Sequence, residues 1–95
     1  MTKLDIINEV SEMTGLSKVE SELVFEAIIK SIKEALAKGE RVDIRGFGSF
    51  SIKTRESREA RNPATNEKVF LEKRYLPYFK VSKLLKKYVQ ESLKL

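Results

Sequence analysis

Arg55, Arg58 and Arg61 stand at three-residue intervals ahead of Asn62-Pro63, and Lys68, Lys73 and Arg74 follow on the far side. A guanidinium is a planar fork of five N–H donors that suits phosphates and base edges, and it stays charged at ordinary pH. Pro63 adds a rigid tip with no N–H to leave unpaired. This is chemistry for gripping a polyanion rather than for making or breaking bonds. The chain has no His and no Cys. That excludes thiol nucleophiles, disulfides, imidazole or thiolate metal sites and histidine acid–base catalysis. Asp5 and Asp43 are the only aspartates, and neither sits in a pattern of acids converging on a metal, so a Mg²⁺-dependent nuclease ranks last. No catalytic residue, metal site or cofactor is expected.

The charge is divided along the chain. Residues 1–40 hold five Lys against eight acids, net −3, while residues 41–95 hold fourteen Lys/Arg against six acids, net +8. A basic half built around an arginine-rich stretch points to nucleic acid before membrane, although a merely solvated basic surface gives the same count. No apolar run approaches the ~20 residues that span a bilayer, and no signal-peptide core follows Met1. The expectation is a soluble, cytoplasmic protein.

The elements that must position these groups follow from spacing. Thr2-Lys3-Leu4-Asp5 reads as a capping box opening a first helix, with Ile6, Ile7, Val10 and Met13 at helical spacing and Gly15 as its stop. Ser17-Lys18-Val19-Glu20 opens a second helix to Lys38, ended by Gly39. Its apolar positions cover more than one stripe, so one side packs its own domain and the other is available to a second subunit. Arg41–Arg45 alternates as a half-buried strand, and Gly46-Phe47-Gly48 turns it into a second strand with Phe50 and Ile52 on one side. Past Ile52 the apolar alternation stops. Ser51 to Ala60 and Glu67 to Tyr75 then form the legs of a hairpin whose tip, Arg61–Asn66, contains two turn formers, Pro63 and Asn66. Pro77 cannot donate to a ladder, so the return strand is an edge or is interrupted there. Ser82 caps a last helix with Leu84, Leu85, Tyr88 and Val89 inward.

The fold class is therefore α+β: two N-terminal helices, a three-stranded antiparallel sheet with a long protruding β-arm, and a C-terminal helix. One domain, 1–95, is expected, with 1–52 and 76–95 as body and 53–75 as arm. Ninety-five residues less an arm leave a core of marginal size, which favours an oligomer.

Gly46-Phe47-Gly48-Ser49-Phe50, Arg61-Asn62-Pro63, Pro77-x-Phe79 and Lys83-x-Leu85 at these spacings resemble the bacterial DNA-bending proteins HU and integration host factor. The resemblance covers essentially the whole chain. It implies an intertwined dimer, of identical or related subunits, whose two β-arms wrap duplex DNA through the minor groove in the bacterial nucleoid; proteins of this kind are established minor-groove binders. Asn66 stands where the family often has Gly, and Val81-Ser82 replaces Pro-Gly or Ser-Gly; both changes keep the backbone feasible.

Against that background Pro63 is either a turn proline or a wedge that enters a base step. Arg58 and Arg61, then Arg55, are candidates for the groove, with Lys53 and Arg74 on the legs and Asn62 at the tip. Lys3 and Lys83 each begin a helix, where free N–H groups and the dipole favour a phosphate. Lys80, Lys86 and Arg45 are weaker candidates. Phe47, Phe50 and Phe79 read as core and dimer packing rather than base stacking. A ribosome-type protein that threads structured RNA with a basic arm is the alternative.

Overall fold

The computed structural model describes residues 1–94; Leu95, the last residue of the expected body, lies outside them. The chain forms two compact units, Met1–Ala35 and Leu36 onward.

The first unit is helical. Helix α1 (Lys3–Thr14) starts at a capping box, in which the Thr2 hydroxyl and the Asp5 backbone N–H pair while the Asp5 carboxylate takes the Thr2 backbone N–H at 2.8 Å. Gly15 closes it in the left-handed region at φ 76°. Helix α2 (Lys18–Ala37) opens on the Ser17–Glu20 box, with Glu20 N–H donating to Ser17 Oγ at 3.1 Å and Ser17 N–H to Glu20 Oε1 at 3.4 Å. It ends one residue short of the expected Lys38, because Gly39 at φ 78° closes a tighter turn onto the Leu36 carbonyl. Ile7 is the one buried apolar side chain among the described residues. Met13, at helical spacing with Ile6, Ile7 and Val10, is 81% exposed, and Val19, Leu23, Val24 and Ile28 of α2 are exposed as well.

The second unit carries the strands. β1 (Val42–Ile44), β2 (Gly48–Arg55) and β5 (Arg74–Val81) form an antiparallel sheet in the order β1-β2-β5. β3 (Arg58–Arg61) and β4 (Lys68–Leu71) form a two-stranded sheet of their own. The expected three strands are thus five, because Glu56-Ser57 and Glu72-Lys73 leave the ladder on both legs at the same level. Arg55 pairs with Arg74 before this break and Arg58 with Leu71 after it, so pairing is interrupted without a slip in register. The four unpaired residues are charged or polar and bring no apolar cross-strand contact to hold the ladder there. β5 runs unbroken through Pro77 as an edge strand, where a missing N–H is tolerated.

Helix α3 (Lys83–Leu93) is capped by Ser82, whose hydroxyl accepts from Leu85 N–H at 3.0 Å. Its expected inward residues Leu84, Tyr88 and Val89 are exposed, and only Leu85 is half-buried. An amphipathic helix with its apolar stripe uncovered calls for apolar surface that this unit does not supply.

Candidate nucleic-acid interface

Side chains alternate across a strand, so register assigns each to a face. Val42 pairs with Phe50, Phe50 with Phe79, and Ile52 with Pro77, which places the apolar residues on one face. There the rings of Phe50 and Phe79 lie 4.8 Å apart and those of Phe47 and Phe79 5.3 Å apart, a tilted aromatic cluster. The phenylalanines, expected as core and dimer packing, stand against one another, yet Phe47 and Phe79 remain exposed.

The opposite face is set by the same ladder. Asp43 pairs with Ser49, Ser49 with Lys80, Ser51 with Tyr78, Lys53 with Leu76, and Arg55 with Arg74. Four of the candidate residues, Lys53, Arg55, Arg74 and Lys80, therefore share one exposed face. Two neighbours were not singled out by sequence. Arg41 lies just before β1 and donates through Nε to Asp43 Oδ1 at 2.9 Å and through a terminal nitrogen to Ser49 Oγ at 3.3 Å. The Ser49 hydroxyl also donates to Asp43 at 2.5 Å, and this bond, ahead of Arg41, holds the Asp43 carboxyl below its ordinary value. Period-two reading of Arg41-Val42-Asp43 would have found Arg41. The second is Tyr78, next to Phe79 in the chain. One step along a strand reverses the face, and Tyr78 lies among the cations with Lys53 Nζ 3.8 Å from its ring centroid.

At the end of this face a shallow cleft is lined by Arg41, Arg45, Lys80 and Lys83, beside Gly46 and Ser82. Ser82 N–H is used by the Phe47 carbonyl at 2.9 Å, which fixes the start of α3 against the Gly46–Gly48 turn. Lys83 is the first residue of α3, and Lys86 follows on the same helix. Lys3 occupies the equivalent first position of α1, but its ammonium is already paired with the carboxylate of Glu26, which raises its pKa.

In the β3–β4 hairpin, Arg58 shares a face with Ala60, Val69 and Leu71, while Arg61 shares the other with Glu59, Lys68 and the exposed Phe70. The two arginines sit on opposite sides of the ribbon. The tip is compact: Asn62 N–H donates to the Glu67 carbonyl at 2.9 Å and Ala64 N–H to Asn62 Oδ1 at 2.9 Å. Asn66 adopts φ 59°, the left-handed conformation expected of it, and its side-chain oxygen accepts from Arg61 at 3.3 Å. Asn62 is thus engaged as a turn residue, and Pro63 sits exposed at the end of the hairpin. Among the described residues there is no cluster of acids that could hold a metal ion, and no helix is long and apolar enough to cross a membrane.

A two-helix unit, a sheet with one cationic face and a basic hairpin define an α+β protein of the nucleic-acid-binding kind. The model of the family described as bacterial DNA-binding protein matches residues 1–90, and the chain belongs to that family, the one that contains HU and integration host factor. The chain is 40% identical over 95 residues to integration host factor subunit beta of Nitrosomonas eutropha, covering 99% of this chain and 90% of that protein. It is 42% identical over 86 residues to the DNA-binding protein HU of Geobacillus stearothermophilus, covering 90% and 96% respectively. The HU chain of an Anabaena HU–DNA cocrystal structure superposes with a TM-score of 0.85 at 36% identity, covering 94% of this chain and 97% of that one.

Proposed function

We propose that this protein is an architectural double-stranded DNA-binding protein of the nucleoid, a single cytoplasmic DNA-bending domain rather than an enzyme. The observation that carries this reading is the strand register, which gathers Lys53, Arg55, Arg74 and Lys80 on the face opposite the Phe50–Phe79 cluster. Such a face can track a phosphate backbone while the other face is committed to packing. Lys83 and Lys86, with the start of α3, add a phosphate site at the edge of the face, and Arg45 borders it. Lys3 adds one at the start of α1 once released from Glu26. The arms reach along the minor groove, with Arg58 and Arg61 addressing its two walls and Asn62 at its floor. Pro63 wedges into a base step and holds a kink.

The active form is a dimer. The uncovered apolar residues of α2 and α3 and the partly exposed Phe47 and Phe79 supply the second subunit's contact. Relatives named HU and relatives named integration host factor subunit beta match at similar identity, so a copy of this chain and a related subunit both fit that place. Sedimentation of the purified protein at micromolar concentration distinguishes them: a dimer of 10.9 kDa chains is the homodimer, and a folded monomer overturns self-pairing. Titration against a random-sequence duplex, a nicked duplex and an A-form RNA duplex tests the function. Tightest binding to nicked DNA, steeply weakened by salt, is the expected result; preference for the RNA duplex overturns the reading.

A further inference from the structure

Lys53 and Tyr78 are diagonal neighbours on the cationic face, since Ser51 pairs with Tyr78 and Lys53 with Leu76. Diagonal cross-strand pairs lie within reach of long and aromatic side chains. Lys53 Nζ uses that reach, sitting 3.8 Å from the Tyr78 ring centroid. Tyr78 is 41% exposed and faces away from the Phe50–Phe79 cluster, so packing of the apolar face does not account for it.

Two other lysines are held by carboxylates, Lys3 by Glu26 and Lys30 by Glu34, while Lys73 lies farther from a ring, 5.7 Å from the Tyr75 centroid. A carboxylate orders the ammonium and competes for it, so a phosphate must displace one anion to gain the cation. An aromatic face orders the ammonium without carrying net charge. The lysine stem loses much rotamer freedom when its head is fixed, and a ring that takes part of that loss beforehand leaves less to be lost on binding. The ammonium keeps donors directed away from the ring for a phosphate oxygen.

We infer that Tyr78 is a positioning residue for DNA binding: its ring holds Lys53 ready for a backbone phosphodiester without neutralising it. This rests on the cationic sheet face being the DNA surface. A tyrosine hydroxyl can itself donate to a phosphate, and Tyr78→Phe separates that role from the ring's.

The test uses the full chain with Tyr78→Phe, Tyr78→Thr, Lys53→Ala and the Tyr78→Thr/Lys53→Ala double variant. In the free protein, the Lys53 side-chain methylene protons beside the ammonium should resonate upfield of those of lysines with no ring beside them, Lys73 near Tyr75 excepted. The ring current that shifts them persists in Tyr78→Phe and disappears in Tyr78→Thr. On a random-sequence duplex, Tyr78→Thr should weaken binding about two- to fivefold, the scale of an exposed cation–π contact. Tyr78→Phe should bind as the parent does. Lys53→Ala should take about 0.9 from the slope of log K against log[salt], and Tyr78→Thr should add nothing further in that background. Additive losses in the double variant, equal losses for Phe and Thr, or a Lys53 resonance like those of lysines with no ring beside them would each overturn the inference. The resonance in the parent decides that point even if a variant fails to fold. A parent that binds no duplex overturns the DNA reading itself, whereas a binding parent matched by Tyr78→Thr overturns only the role of Tyr78.

Discussion

Lys3 on α1 and Glu26 on α2 are ion-paired across twenty-three positions of sequence. The lysine at the first helix start is therefore not a free cation: a phosphate there must compete with Glu26. Glu26→Gln should strengthen duplex binding and steepen its salt dependence by up to about one phosphate's worth, 0.9 in the slope. Unchanged affinity would remove Lys3 from the phosphate contacts. The Glu26 hydrogen bond raises the Lys3 pKa above its ordinary 10.5. A raised lysine contributes stability that is complete below the unfolded value and is lost as pH rises through the folded one. The melting difference between parent and Glu26→Gln should thus be constant through neutral pH and vanish only in strong alkali.

Among the described residues, Asp43 is the one acid paired into the cationic sheet face, and it occupies Arg41. Asp43→Asn should free that guanidinium, remove a charge that repels phosphate, and tighten duplex binding. Titrations at two salt concentrations measure both effects, and weaker binding would mean that Asp43 orients Arg41 rather than restraining it. Ser49 first and then Arg41 lower the Asp43 pKa. A depressed carboxylate contributes stability above its unfolded value, near 3.8, that is lost as pH falls through the lower folded value. Stability differences between Asp43→Asn and the parent should therefore not change between neutral and mildly acid pH.

Gly48 has no room for a side chain. A Cβ there would come within 2.5 Å of both the Lys80 carbonyl oxygen and the Phe79 ring. Its backbone is not left-handed, unlike that of Gly46 at φ 81°, so the requirement is for close approach of β5. Gly48→Ala should destabilise the fold by about 1–3 kcal/mol, as overpacking does. Urea unfolding measures it, and a parent-like midpoint would refute the contact.

Pro63→Ala distinguishes wedge from turn. The tip is held by hydrogen bonds of Asn62, Ala64 and Glu67, none of which needs Pro63. The variant should keep near-parent affinity for straight duplex but lose bend angle and preference for nicked DNA, since prebent substrates require less unstacking. Arg61→Ala is the control, weakening every duplex alike. Energy transfer between the ends of a short duplex reads the bend; equal angles at saturation would leave Pro63 a turn residue.

Local rules were enough for much of this protein. Both capping boxes, the stops at Gly15 and Gly39, the Gly46–Gly48 turn, the left-handed Asn66 and the Ser82 cap are decided by a few adjacent residues and are legible in the chain. The hairpin with its basic legs is legible too, because a run without apolar alternation cannot be core.

Neighbouring residues thus account for the helices, their caps, the order of the elements and the supply of cations, but not for the breaks at Glu56-Ser57 and Glu72-Lys73 that divide the hairpin legs. Which cations share a face, and which are already paired, is settled by contacts between distant elements. Whether a strand residue faces the aromatic cluster or the cationic side depends on a ladder joining residues far apart in the chain, as with Lys53 and Leu76 or Ser51 and Tyr78. That ladder put Tyr78 on the face of Lys53, opposite its chain neighbour Phe79, and brought Arg41 beside Ser49, and helix packing gave Lys3 to Glu26. Composition counts charges, but pairing between distant elements determines which of them remain free for a phosphate, because a Coulomb contact falls off with distance in space and not along the chain.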